Sequence, residues 1–171
     1  MKKHDYVLWA EEVINNYVIK GIIKENVIYL RNELFLRKNP CFVSLHKNGN
    51  LRGCIGSLFP AEQNLYYEIR KNAVFSVSKD YRFLPVAEEE IRDITVNVDI
   101  LFDLKENISS SDLDIKKYGI IVKNNNKRGV LLPDIAGVDT VSEQLRIALM
   151  KAGISEGEKY TIDSFRVERY F

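Results

Sequence analysis

The chain has 171 residues, of which 46% are hydrophobic and 29% are charged, and these proportions are typical of a globular protein rather than of a disordered one. Lys and Arg number 25 against 24 Asp and Glu, which gives a net charge of +1. Because nucleic-acid-binding domains are usually strongly basic, this near balance argues against nucleic acid and against an anionic membrane surface as partners.

The number of cysteines and the length of the apolar runs indicate the cellular compartment. The two cysteines, Cys41 and Cys54, are too few for a disulfide framework in a domain of this length. The first residues lead into Glu11 and Glu12, which is not the pattern of a secretory signal. No apolar run approaches the ~18 residues that a membrane span needs. We therefore expect a soluble, cytoplasmic protein without membrane association.

The first part of the chain predicts helices followed by a hairpin. Apolar residues at helical spacing predict a helix that Asp5 caps and Gly21 ends. The next predicted elements are a shorter helix over 28–36, a strand over 41–46, a type I′ turn at Asn48-Gly49 and a returning strand over 50–55.

The remaining elements determine the predicted fold class. They are a helix that Pro60 opens, a strand over 94–102, a hairpin over 119–123 and 129–132, a helix from Thr140 to a Gly153 cap, and a last strand over 164–171. Hairpin-linked strands form antiparallel sheets, and amphipathic helices must cover a face of such a sheet. The sequence therefore predicts a single α+β domain, an antiparallel sheet of hairpins covered by helices.

The segment from Leu51 to Gly56 is unusual for a strand. Gly53 and Gly56 bracket Cys54, and glycine in a strand indicates a bulge or a close approach of the backbone to another group. Arg52 lies two positions from the thiol, and nearby positive charge favours a reactive thiolate. The alternative interpretation is structural, with Cys54 as a small buried residue and the glycines serving packing alone.

The hairpin register tests whether a histidine could assist Cys54. A two-residue turn at Asn48-Gly49 predicts that Val43 pairs with Cys54 and that His46 pairs with Leu51. In this register His46 lies on the opposite face from Cys54, so a Cys-His pair is disfavoured unless a bulge shifts the strand. Two histidines and two cysteines without zinc-type spacing also predict no metal site.

The loop from Lys79 to Pro85 is the second candidate region. It carries Asp80, Arg82 and Phe83, and a guanidinium of this kind can bind a carboxylate or a phosphate. The alternative is that Asp80 and Arg82 anchor the loop while Phe83 inserts into the core.

Several segments together resemble one family. The hexapeptide Leu51–Gly56 resembles the signature of the AMMECR family, and similar stretches occur at Phe42–Leu45, Asp80–Phe83, Gly129–Pro133 and Lys151–Gly153. Tyr81 replaces the proline that is common in the second of these stretches. Asp134 stands where Glu or Gln is usual, and Leu149 where a cysteine is frequent, which weakens any mechanism that needs two thiols.

The resemblance implies one AMMECR-like domain over residues 1–171, with two unequal lobes and a cleft beside the signature. It implies no particular reaction, and the cofactor stays unknown. Many prokaryotic members are encoded beside a Memo-like protein and a radical S-adenosylmethionine protein, as the AmmeMemoRadiSam system. This association suggests a small-molecule or modification pathway, with those two proteins as partners.

Three functional hypotheses follow. In the first, Cys54 is the catalytic residue of an enzyme, and Arg52 and Arg82 hold a small anionic substrate. In the second, the region is a non-catalytic module that binds a small ligand or a protein. The ligand-binding residues predicted for either case are Arg52, Gly53, Gly56, Asp80, Arg82 and Phe83. The third, nucleic-acid binding, has the least support from the net charge.

Overall fold

The computed structural model of the chain describes residues 2–171. Its helices are α1 (Asp5–Lys20), α2 (Val27–Leu30), α3 (Leu65–Ser78) and α4 (Val141–Ala152). Its strands are β1 (Cys41–Lys47), β2 (Asn50–Gly56), β3 (Ile94–Lys105), β4 (Gly119–Asn124), β5 (Lys127–Leu131) and β6 (Thr161–Tyr170). Short 3-10 turns cover Glu33–Leu36, Glu88–Asp93 and Ser110–Asp112. The strands form one sheet in the order β2-β1-β3-β6-β4-β5, which confirms the α+β fold class.

Two predicted helices differ from the observed ones. The helix expected over 28–36 is divided into α2 and a 3-10 turn, because Asn32 lies between them and its side chain accepts the N–H of Leu34. The helix expected to open at Pro60 begins at Leu65 instead, after an Asn64 cap. The buried carboxylate of Glu68 accepts the N–H groups of Ala61 and Glu62, so that these residues form a loop rather than a first helical turn.

The chain divides into two compact units of unequal length, and the larger one runs to Ile100 and includes Glu168–Phe171. In this unit α1 and α3 contribute a buried apolar core together with Val43, Leu45 and Val98. The Trp9 and Tyr66 rings stack with their centroids 4.6 Å apart, which adds an aromatic contact inside this core.

The smaller unit, Leu101–Val167, has its own core. Its buried apolar residues are Ile120, Val122, Leu131, Ala148, Ile154 and Ile162. A Cβ atom at Gly129 on β5 would collide with the carbonyl oxygen of Ala148 on α4, so this glycine lets the helix and the strand approach closely. The cleft implied by the resemblance, and the description as a single domain, stay predictions.

No helix within residues 2–171 has both the length and the apolar character that crossing a membrane requires.

Candidate functional site

The predicted hairpin is present, but its register changes in the middle of β2. Asn48 and Gly49 both have positive φ, 52° and 78°, as a type I′ turn requires. His46 pairs with Leu51 as predicted, whereas Leu45 pairs with Gly53, so Arg52 is an extra bulged residue. The predicted pairing of Val43 with Cys54 is therefore wrong. Cys54 pairs with Ser44 instead.

This bulge changes which side chains share a face with the thiol. Directly paired residues lie on one face of a sheet, and residues two positions apart along a strand return to the same face. Cys54 thus shares its face with Ser44 and His46, and the prediction that His46 lies on the opposite face is wrong. Gly53 and Ile55 lie on the other face, with the core residues Leu45 and Val43.

Gly53 lies against helix α3. A Cβ atom there would collide with the backbone carbonyl oxygen of Ser76 and would lie 3.2 Å from the Leu45 side chain. The close approach predicted from the glycine is therefore an approach of strand to helix. A ligand contact at Gly53 stays a prediction.

Gly56 allows a second tight contact within the hairpin. A Cβ atom on it would collide with the ring of Phe42, its cross-strand partner. This position also stays a prediction as a ligand contact.

Arg52 is held by a carboxylate and by backbone. Its Nε and Nη2 atoms donate to the two oxygens of Glu90 at 3.0 and 2.8 Å, and Nη1 donates to the Leu84 carbonyl at 3.1 Å. The hydrogen bond from Arg52 lowers the pKa of Glu90 to about 2. Such a bidentate pair fixes the guanidinium in place, so most of its donors are unavailable to a ligand.

Asp80 and Arg82 fasten the following loop to the signature strand. The buried Asp80 accepts the Cys54 backbone N–H at 2.9 Å and two hydrogen bonds from the Arg82 guanidinium at 2.9 and 2.6 Å. Arg82 also donates to the Cys54 carbonyl at 3.4 Å. The hydrogen bond from Arg82 lowers the pKa of Asp80 to about 2. Both backbone polar groups of Cys54 are therefore held by this loop.

Phe83 lies between the two arginines instead of inserting into the core. It is half-buried, and its ring centroid lies 5.8 Å from the Arg52 guanidinium carbon and 5.5 Å from that of Arg82. The structure thus brings Arg52, Arg82 and Phe83 together beside the Cys54 backbone, and their role in binding a ligand stays a prediction.

The Cys54 thiol itself is in a mostly shielded position. The Ser44 hydroxyl donates to its sulfur at 3.2 Å. Burial raises the pKa of Cys54, and this effect outweighs the Ser44 hydrogen bond and the Arg82 charge, which both lower it. Burial therefore favours the protonated form of this thiol.

Further polar residues extend the face that carries Cys54. Asn97 pairs with Ser44, and Asp99 lies two residues further along β3. Asp99 accepts bonds from Arg169 Nε at 2.7 Å and from Asn97 Nδ2 at 3.2 Å. We call this set the polar face; it consists of Ser44, His46, Cys54, Asn97, Asp99 and Arg169.

Ser44, Asn97 and Asp99 are at most 5% exposed, which is unusual for polar side chains outside an apolar core. The alternation of Asn97 and Asp99 with apolar residues predicts a half-buried strand, and this signal does not distinguish a solvated face from a shielded one. Among residues 2–171 no group of three or more His, Cys, Asp or Glu side chains could hold a metal ion.

Comparison with known proteins shows what this chain is similar to. The AMMECR1 family profile matches residues 7–171. A protein of Thermotoga maritima is 51% identical over 170 residues, which cover 98% of each chain. Protein CA_C1420 of Clostridium acetobutylicum is 45% identical over 170 residues, which are 99% of this chain but 36% of that longer one.

The fold also has a match among solved structures. The crystal structure of PH0010 from Pyrococcus horikoshii superimposes with a TM-score of 0.84 at 24% identity, over 99% of this chain and 92% of the other. This likeness concerns the fold alone. On the profile match and the identity to the Thermotoga protein, the chain belongs to the AMMECR1 family.

Proposed function

We propose that the polar face binds a small anionic molecule, with Cys54 as an uncharged thiol of that site rather than a resting thiolate. The observation that carries this proposal is the row of shielded polar groups beside the thiol. Burying polar groups costs stability, and Ser44, Asn97 and Asp99 do not contribute to the apolar core. A ligand that forms hydrogen bonds with these groups would account for their position outside the apolar core.

The loop with Asp80 and Arg82 acts in this proposal by positioning. It binds the N–H and the carbonyl of Cys54. It therefore fixes the position of the backbone that carries the thiol. Arg82 keeps its Nη1 group outside these bonds and its side chain is 43% exposed, so it can also contact an anion. Arg52 supports the site through the bulge and Glu90.

The proposal is tested by the ionisation of Cys54 and by ligand-induced stability. Alkylation of Cys54 by iodoacetamide over a pH series is expected to give a pKa above the ~8.5 of a free thiol. A value clearly below that would overturn the uncharged-thiol assignment.

Binding is measured separately from ionisation. Small carboxylates and inorganic phosphate at millimolar concentration are expected to raise the melting temperature of the wild-type protein, since a ligand of the native state stabilises it by RT ln(1 + [L]/Kd). The Cys54→Ser variant is expected to keep this shift. Absence of any shift in the wild type, or its loss in Cys54→Ser, would count against a binding site of this kind.

One observation favours a second candidate, a thiol enzyme. The bulge at Arg52 brings His46 onto the face of Cys54, and diagonal neighbours on a sheet lie about 7–8 Å apart, within reach of long side chains. In such an enzyme the imidazole would take the thiol proton as the sulfur attacks an electrophilic carbon. In a His46→Asn variant the alkylation profile of Cys54 would then shift to higher pH, whereas the binding proposal expects no change.

The pathway implied by the family is proposed on the same terms. A Memo-like protein and a radical S-adenosylmethionine protein are the expected partners of the chain. Titration of purified partner proteins against the full chain by calorimetry would test this, with heat of binding as the expected result.

A further inference from the structure

We propose that Arg169, held in place by Asp99, is the residue that anchors the oxyanion of the ligand on the polar face. This inference rests on the proposed function. Arg169, in place of Arg52, is then the residue expected to bind the anion. It assigns the ligand a carboxylate or phosphate group at one end, while its other end lies near Cys54.

Three arginines differ in how many guanidinium donors they have left for a ligand. A guanidinium has five N–H donors. Arg52 gives its donors to both oxygens of Glu90 and to the Leu84 and Pro85 carbonyls. Arg82 uses Nε and Nη2 on Asp80 and on the Cys54 carbonyl. In the part of the chain from residue 2 to 171, the Arg169 side chain makes a single hydrogen bond, from Nε to Asp99, so its two Nη groups keep all four donors.

A buried carboxylate holds the Arg169 guanidinium in place. The Asp99 side chain is 2% exposed, and its two oxygens are occupied by Arg169 and Asn97. A buried carboxylate is costly, and burial raises the pKa of Asp99 despite these bonds. The Arg169 side chain is 29% exposed, so the pair places a fixed guanidinium with one end open to a ligand. Preorganisation of this kind is what an anion site needs.

The residue that precedes Arg169 on β6 belongs to a different kind of ion pair. Glu168, the preceding residue, accepts bonds from Arg37 and from the Tyr170 hydroxyl, so its carboxylate and the facing guanidinium bind each other near the surface. In that pair both side chains are well exposed, 41% for Arg37 and 37% for Glu168, as in an ordinary surface ion pair. The Asp99–Arg169 pair differs from it, because its carboxylate is 2% exposed and its cation is partly open.

The spacing of strands sets the size of the ligand. The Arg169 guanidinium bonds to Asp99 on β3, and β3 is separated from β2 by β1 alone. Two strand spacings are about 10 Å. A molecule that contacts both Arg169 and the Cys54 sulfur must therefore be longer than an isolated phosphate ion. Ser44 and Asn97 lie between these ends and can bond to polar groups along its length.

Two aromatic disulfide reagents, one anionic and one uncharged, provide the test. Cys54 thiolate attacks a reagent sulfur, a mixed disulfide forms, and an aromatic thiolate leaves with the electron pair of the broken bond. We compare 5,5′-dithiobis(2-nitrobenzoate), which carries carboxylates on its rings, with the uncharged 4,4′-dithiodipyridine, each relative to 2-mercaptoethanol. Because both reagents use the same thiolate, their rate ratio cancels any change in the pKa of Cys54. The buried Cys41 serves as an internal unreactive thiol, identified by mass spectrometry.

In the wild type the ratio is expected to favour the anionic reagent, and Arg169→Gln is expected to reduce it by about fivefold, an effect of the size that one nearby charge produces. Arg169→Lys keeps the charge and is expected to retain part of the preference. Arg37→Gln, on the Glu168 side of β6, is the matched control and should leave the ratio unchanged. Circular dichroism and the melting temperature establish that each variant is folded.

Different results would overturn the role of Arg169 and the binding function of the polar face. If Cys54 in the folded wild type reacts with neither reagent, the polar face is closed and the proposed function fails. If it reacts with both but Arg169→Gln leaves the ratio unchanged, or if Arg82→Gln alone changes it, the assignment of Arg169 is overturned. Competition by a small carboxylate or by a phosphate monoester, added to the anionic reaction, then distinguishes which oxyanion the site prefers.

Discussion

Cys41 and Cys54 belong to one hairpin but lie on its opposite faces. Cys41 is fully buried among the apolar residues of the larger unit, and burial strongly raises the pKa of its thiol. Cys54 is partly exposed, bonded to Ser44 and surrounded by polar groups. The two faces of one hairpin therefore differ, since one packs into the apolar core and the other carries shielded polar groups.

The division runs through the signature itself. Gly53 faces helix α3 and allows strand and helix to touch, while the neighbouring Cys54 faces away from that helix. The bulge at Arg52 sets this phase, because an extra residue in one strand exchanges the faces of all residues beyond it. The glycines of the signature therefore allow close packing, whereas Cys54 lies on the polar face.

The largest effect is expected from a substitution that disrupts the packing of β2 against α3. Gly53→Ala places a methyl group against the Ser76 carbonyl, which is backbone and cannot rotate away. We expect a loss of about 3 kcal/mol in the free energy of unfolding, at the upper end of overpacking costs. Urea denaturation measures it, with the neighbouring Cys54→Ala as the control on the opposite face. A loss below about 0.5 kcal/mol would show that α3 moves aside easily.

Most elements of the fold could be predicted from local sequence patterns. Features that depend on contacts between distant residues could not. Residues 41–56 contain both strands and the Asn48-Gly49 turn of the hairpin, so no distant contact is needed to predict it. The bulge is different, because Arg52 leaves the strand alternation to bond with Glu90, 38 residues later. The displaced start of α3 likewise depends on the buried Glu68.

The candidate site was predictable only in part for the same reason. The signature and the Asp80–Phe83 segment have unusual local composition, and the structure does bring them together. Asn97, Asp99 and Arg169 have no such signal, because a polar residue on alternate positions of a strand looks alike whether it meets water or a buried partner. They come together through the contact between Asp99 of β3 and Arg169 of β6, which are far apart in the chain.

The next prediction concerns the loop that holds the backbone of Cys54. Arg82 lowers the pKa of Asp80 to about 2, below its ordinary 3.8. A lowered pKa means that the ionised group stabilises the fold above about pH 4, and that this contribution is lost as the pH falls towards 2. At neutral pH we therefore expect Asp80→Asn to lose about 2 kcal/mol of unfolding free energy.

Urea denaturation of the wild type and of Asp80→Asn over a pH series measures this contribution. The difference between the two proteins is expected to shrink steadily as the pH falls from about 4 to about 2. Glu90 also has a pKa of about 2, but it is present in both proteins and cancels from the difference. A difference that stays constant over this window would show that Asp80 acts through shape and not through its charge.

The smallest expected effects compare the two cysteines directly. Cys41→Ala removes a fully buried sulfur from the apolar core and leaves a small cavity, so we expect a loss of about 1.5 kcal/mol. Cys54→Ala removes a weak hydrogen bond from Ser44 on a face that does not belong to the core, and we expect a loss of about 0.5 kcal/mol. Parallel urea titrations of both variants give the two losses under one set of conditions. An equal or larger loss at Cys54 would mean that the polar face contributes to stability as the core does, and the row of shielded polar groups would then need no ligand to account for it.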